Sequence, residues 1–391
     1  MPERKSDYGP ARLPGAVRTA AVLVGALSAV LATAGPGVAL PVPAPAPAPA
    51  PATAAAAQCG DVVTANLVLT ADLVCQGTGL TIGADNVTVD LAGHTVSGAP
   101  AVQIPDRRGT TLVNGTLTGS QSLTAAGSQL ISPIPLTVSG IRLGAQTKLT
   151  NASAVLGQGS GGCTVNGIRA QDSWVTLDGC EARDQLYLRQ STGTVRASKL
   201  TSGSLRLEQS SRGRYENNVF DDFTVLLYDM SRENVFTGNV LKNAESAFYT
   251  AMPQSPNVTN TIQDNDIRNN DIGFEADDVT GFTIKGNRFT SNRTAGVLVD
   301  NDIRRANSEW ISGNVFTGNG LRPSGVKDRD GNPVAGGVHV RTVPESRINL
   351  SGNVGRFNGG YLIWAPAGQV VDGGGNKGPC GPVPNPDLTC L

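Results

Sequence analysis

Apolar and polar residues alternate in short runs along the C-terminal two-thirds of the chain, and the runs recur at a nearly constant interval. The first apolar residue of each run is Ile168, Leu186, Leu205, Val225, Phe248, Phe274, Val297, Val338 and Tyr361, at steps of 18, 19, 20, 23, 26, 23, 41 and 23 residues. A period of two predicts strands with one buried face and argues against helical repeats, whose apolar positions recur every three or four residues. Between the runs a second phrase repeats as RYENNVF, NVFTGNVL, TIQDNDI, TIKGNRF, WISGNVF and INLSGNV. It aligns Asn218, Asn239, Asn265, Asn287, Asn314 and Asn353 at steps of 21, 26, 22, 27 and 39. The two series lengthen together, as they must if each repeat is one coil with at least two short strands and intervening turns. This predicts an all-β solenoid, a single-stranded parallel β-helix of about ten to eleven coils stacked at about 4.8 Å. The aligned Asn amides would then form a hydrogen-bonded ladder along one turn.

The first residues break the pattern. A basic segment through Arg18, an apolar run from Thr19 to Leu31 and the small residues Ala32-Thr33-Ala34 predict a signal peptide over 1–34. An uncleaved anchor is the alternative, but the run is short against the roughly 20 residues that a bilayer demands. Without a Cys close behind the run, a lipoprotein is not expected. The stretch 35–57, with PVPAPAPAPAPATAAAA at Pro41–Ala57, reads as an extended Pro/Ala-rich linker, leaving 58–391 as the folded domain. These signals predict a secreted, extracellular protein with no membrane insertion after cleavage.

Six cysteines fall in three local couples: Cys59 with Cys75, Cys163 with Cys180, and Cys380 with Cys390. In an exported chain such spacing favours disulfides, although six cysteines permit fifteen connectivities. Zinc is the weaker reading, because there is no CxxC pair and only two histidines are present. With 16% charged residues and a net charge of −1, no basic block offers a phosphate footprint, so no nucleic-acid partner is expected.

The opening CGDVVTANLVLTADLVCQGTGLTIGADNVTVDLAGHTVSG, the NxF-type repeats and the closing DGGGNKGPC resemble bacterial secreted right-handed parallel β-helix repeat proteins of the pectin-lyase-like superfamily. The resemblance covers nearly everything after residue 58 and implies the handedness of the coil. It does not fix an activity, because one fold hosts many functions. An ADD segment at Ala276–Asp278 is similar to one polygalacturonase motif, but that family's NTD, GHG and RIK motifs are missing, as are pectate-lyase and alginate-epimerase motifs. Copper handling, known among some periplasmic members, ranks last for want of His, Cys and Met ligands.

Residues one and three places after each inward residue face solvent, so adjacent coils should build a two-row stripe. It reads Tyr187 and Arg189, Arg206 and Glu208, Leu226 and Tyr228, Tyr249 and Ala251, Glu275 and Asp277, Leu298 and Asp300, His339 and Arg341, Leu362 and Trp364. Carboxylates beside a His and an Arg, flanked by aromatic rings, suit a polysaccharide groove. The candidate catalytic residues are Glu275, Asp277, Asp300, His339 and Arg341, and the candidate substrate-binding residues are Tyr228, Tyr249, Arg206 and Trp364. Two carboxylates would serve a glycoside hydrolase, whereas a lyase or epimerase would neutralise a uronate with Arg341 or with calcium held by the acids. A monomer that binds or cleaves an acidic polysaccharide is the leading reading. A structural or adhesive surface protein, its acidic stripe merely discouraging aggregation, is the alternative.

Two long steps carry insertions, MPQSPNVTN and GLRPSGVKDRDGNPVAGG, placed to wall a cleft. Other motifs point elsewhere. GQGSGG at Gly157–Gly162 matches GxGxxG, but no helix start follows it, and no GxSxG elbow occurs. His94 lies in the first-coil motif as a turn or packing residue. The acidic run IRNNDIGFEADD lacks EF-hand spacing, since Arg268 and Asn269 stand where ligands are needed.

Overall fold

The short alternating runs form strands that find partners one coil away, and every pairing between them is parallel. The computed structural model describes residues 53–127, 134–143, 146–157, 163–251, 259–302, 309–383 and 385–391. The signal segment 1–34, the spacer up to residue 52, most of the GQGSGG stretch and most of the MPQSPNVTN insertion lie outside them. Among the described residues there is no helix, and none therefore that is long and apolar enough to cross a membrane.

Each full coil has three strands, one more than the minimum expected. Ile272–Asp277, Thr283–Lys285 and Arg288–Thr290 make one coil, and Ala295–Asn301, Trp310–Ser312 and Val315–Thr317 make the next. The ladder from Leu73–Val74 to Val354–Arg356 contains thirteen rungs among the described residues, so the stack is longer than ten to eleven coils. The additional coils lie before Ile168, where the Asn phrase is absent. Thr53–Ala55 also pairs with Leu67–Leu69, so the end of the predicted linker is already a rung of the stack.

Side chains from the three faces meet along one continuous core. Phe248, Phe274, Val297 and Val338 stack on one face, Phe236, Ile262, Ile284 and Ile311 on the second, and Leu241, Ile267, Phe289 and Phe316 on the third, all fully buried. One expected inward residue is corrected. Ile363, not Tyr361, pairs with Val338, and Leu362 is buried instead of facing out. The turn through Asn358–Gly360 takes up two residues more than the alternation suggests, and the Tyr361 ring packs where Gly381 has no side chain.

The Asn ladder is present and longer than the repeat suggested, running from Asn218 through Asn239, Asn265, Asn287, Asn314 and Asn353 to Asn376. From Asn239 onward each Oδ1 accepts from the backbone N–H and the Nδ2 of the preceding rung, while Nδ2 also reaches a core carbonyl; Asn287 Nδ2 donates to Ile262 O at 2.9 Å. The preceding residue takes the left-handed conformation, as at Gly238, Gly286 and Gly313, which explains the recurring Gly-Asn pair. A second ladder, Asn270, Asn292, Asn319 and Asn358, lines the next turn. There the left-handed position passes from Asn269 through Ser291 and Gly318 to Phe357, whose ring is 81% exposed.

The three disulfides are the predicted couples, Cys59–Cys75, Cys163–Cys180 and Cys380–Cys390. The first and last lie near the ends, while Cys163 and Cys180 occupy paired positions on adjacent coils well inside the stack. Such bonds persist in oxidising compartments, which puts the protein outside the cytoplasm.

Candidate functional site

Strand register places the predicted residues in two outward rows. One runs Lys148, Arg169, Tyr187, Arg206, Leu226, Tyr249, Glu275, Leu298, His339 and Trp364, and the other includes Glu208, Tyr228, Ala251, Asp277, Asp300 and Arg341. Trp364 was expected in the second row and belongs to the first. It stacks on the His339 ring, with centroids 4.1 Å apart and planes 11° from parallel.

The two halves of the stripe differ in what covers them. The earlier half is a stacked series of rings and guanidinium groups. Arg169 lies 5.2 Å from the Tyr187 ring centre, and Arg206 lies 5.3 Å from Tyr187 and 4.9 Å from Tyr228. Tyr228 and Tyr249 then meet edge to face at 6.0 Å. Glu208 fixes the series from the side, accepting from Tyr187 Oη at 2.8 Å and from Arg206 Nη2 at 3.1 Å.

The later half lies beneath residues 321–335 of the longer insertion, a strap whose two arms meet at Lys327 and Pro333. Val334, with Val326 beside it, packs on Ile272, Ala295 and Leu298, so Leu298 retains only 4% of its exposure. The strap therefore covers the stripe instead of walling a cleft beside it. Its tip carries Arg329, a residue that the strand pattern could not single out. The Arg329 guanidinium bonds Asp277, Asp278 at 2.6 Å and Asp302 at 3.1 Å, and its backbone N–H donates to Asp300 Oδ2 at 3.0 Å. Arg341, one coil on, bonds Asp302 and Asp330, the latter at 2.9 Å, and approaches Asp300 Oδ1 at 3.6 Å.

These contacts set the protonation chemistry. Burial raises the Asp277 carboxyl despite Arg329, and burial lifts Asp300 to about 6 against the pull of Arg329 and Arg341. Burial also acts on Asp302, but the bonds and charges of Arg341 and Arg329 prevail and hold it below the usual carboxylate range. Glu275 accepts from Ser246 Oγ at 2.6 Å, and Asp277 accepts from Tyr249 Oη at 3.4 Å. His339 is 1% exposed. Burial lowers its pKa, and Nε2 lies 3.0 Å from Asp328 Oδ2 on the strap, which puts the proton of a neutral imidazole on that nitrogen.

The predicted acids and bases are thus gathered in one place, but not as a free catalytic set. His339 is enclosed as a packing and strap-anchoring residue, which corrects its reading as an exposed base. Arg341 and both aspartates are held in ion pairs. Five aspartates share two guanidinium groups here, and among the described residues no group of three or more His, Cys, Asp or Glu is arranged to hold a metal ion. His94 lies far from the cluster, on an early coil, with Nδ1 3.2 Å from Asp72.

The family described as periplasmic copper-binding protein (NosD) matches residues 140–332. Among solved structures, the Dettilon tailspike protein is similar at 15% identity and a TM-score of 0.32, covering 80% of this chain and 60% of that one. The chain therefore spans less than two-thirds of the tailspike's length. No curated protein matches the chain.

Proposed function

We propose that this is an exported carbohydrate-binding β-helix that acts as a secreted monomer and holds an acidic polysaccharide along its outward stripe without cleaving it. The observation that carries the reading is the alternation of guanidinium groups and phenol rings from Arg169 through Tyr187 and Arg206 to Tyr228 and Tyr249. Rings whose faces are taken by guanidinium groups still present edges and hydroxyls to sugars, and guanidinium groups pair with carboxylates or sulfates. Successive coils repeat at about 4.8 Å, close to the advance of one sugar in an extended chain.

The clamped carboxylates favour binding over hydrolysis, because an acid and a base at Asp277 and Asp300 would first have to lose Arg329. Copper fits the donor set poorly. All six cysteines form disulfides, His339 is enclosed by Asp328 and Trp364, and His94 sits coils away. The export signal over 1–34 and the linker that follows it belong to the same proposal, with the folded stack already begun at Thr53–Ala55.

The test is binding of the secreted domain to a polysaccharide panel, together with assays for reducing ends and unsaturated-sugar absorbance. Wild type should retain an acidic member of the panel without releasing either product. Tyr228→Ala and Arg206→Ala should each weaken binding about tenfold or more, as removal of central aromatic and Arg anchors does. Unchanged affinity in both variants, or products that disappear in Asp277→Asn/Asp300→Asn, would overturn the reading.

A further inference from the structure

The stripe is open at one end only. From Lys148 to Tyr249 its outward residues are exposed or half-buried. Two rungs beyond Tyr249, Leu298 is 4% exposed beneath Val334, and on the following rung His339 is 1% exposed against Asp328. Arg329 lies across Asp277 and Asp300 in the neighbouring row. A chain advancing from Arg169 toward Tyr249 would meet the strap within about one coil, roughly 5 Å.

Charge changes at the same boundary. Lys148, Arg169, Arg189 and Arg206 stand along the open run, with Glu208 beside two of them. At the strap Asp277, Asp278, Asp300, Asp302 and Asp330 outnumber Arg329 and Arg341. An anionic polymer is drawn to the first region and repelled from the second over a distance comparable with the screening length, about 8 Å at physiological salt. The half-exposed carboxylates beside Tyr249 instead accept hydrogen bonds from the free hydroxyl groups of a terminal ring.

We infer that the strap makes the stripe a chain-end site: it receives the terminus of an anionic glycan, with the last ring on Tyr249 against Asp277 and the preceding charged sugars over Arg206 and Arg169. The inference rests on the stripe being the glycan site. Residues 321–335 are then its specificity element, since they exclude the interior of a long chain.

The experiment uses wild-type domain with alginate and polygalacturonate, each as long polymer and as size-fractionated oligomers, and measures protein bound at saturation per gram of sugar. An end-recognising site predicts capacity that follows the number of termini, so oligomers ten times shorter bind about ten times more protein per gram. Equal capacity per gram for long and short chains would overturn end recognition while leaving the stripe as the glycan site. No binding to either sugar in any form would overturn both proposals. A second variant replaces residues 322–334 with a short Gly-Ser link and Leu298 with Ser. If it keeps the β-rich circular dichroism of wild type, its capacity for long polymer should rise several-fold toward that for oligomers; if it does not fold, the length series in wild type decides.

Discussion

Asn287→Ala is expected to lower the unfolding free energy by about 3 kcal/mol or more, a large loss for removing one small side chain. Asn265 N–H and Asn265 Nδ2 lose their shared acceptor, and Ile262 O and Asn314 Oδ1 lose donors. The substitution thus strands the buried Asn265 N–H and takes a donor from Ile262 O, while Asn265 Nδ2 keeps Phe236 O and Gln263 O and Asn314 Oδ1 keeps the backbone N–H of residue 287. Each orphaned buried group costs about 1–3 kcal/mol, and relaxation or an entering water recovers part of that sum. Asn217→Gly is the control, because Asn217 is exposed in the left-handed conformation that Gly adopts freely. It should stay within about 0.5 kcal/mol of wild type. Urea titration monitored by circular dichroism distinguishes the two, and a shift for Asn287→Ala no larger than the control would remove the ladder from the account of stability.

Arg329→Met should free the strap and make its stability depend on pH. Methionine keeps most of the apolar stem but leaves Asp277, Asp278, Asp300 and Asp302 facing one another. Breaking a buried pair costs about 3–5 kcal/mol, and the partial exposure of Arg329 reduces the expectation to about 2 kcal/mol at pH 8. The folded-state pKa of Asp300 is already raised to about 6, so its contribution to stability is full below the unfolded value, near 3.8, and is lost as the pH rises through 6. Removing Arg329 takes away the attraction that holds this value down, so Asp300 and Asp277 both move further up. The deficit relative to wild type should be largest above pH 7 and shrink toward pH 4, as Asp300 takes up its proton in both proteins. Thermal unfolding at pH 4, 6 and 8, with limited trypsin cleavage at Lys327 as a reporter of strap opening, measures it. A deficit that does not vary with pH would mean that the carboxylates are not what Arg329 neutralises.

How much of this was legible in the chain depended on whether a feature was periodic. Alternation through Phe248–Ala251, Ile272–Asp277 and Ala295–Asn301 carries the strand register directly, because side chains on a strand have only two directions to take. The early coils were harder to see. Even on the coils just after Ile168, before the Asn phrase begins, Ser173, Ser191, Ser198 and Ser210 satisfy the turn amides that Asn satisfies later, and a buried hydroxyl does the same work without a recognisable phrase. The slip at Trp364 came from a turn whose length alternation does not record. Arg329 was invisible for a different reason. Its partners lie 27 to 52 positions earlier, and a loop has no period from which a side chain's direction can be read. The Asp-Arg-Asp run followed by Gly-Asn-Pro was the available signal, marking a tight charged turn in the longest insertion.

Each disulfide closes a short loop, with separations of 16, 17 and 10 residues, and none ties one end of the stack to the other. In a solenoid every coil touches only its neighbours, so unfolding can unzip from a terminus one rung at a time. Bonds at the two ends oppose the first step of such unzipping, and the bond at Cys163–Cys180 acts as a ratchet pawl inside the stack. A tear started at the N-terminal end would stall there with the coils of the ring-and-guanidinium stripe that follow still wound. The chain thus behaves less like a single cooperative block than like a zipper with stops at both ends and one in between.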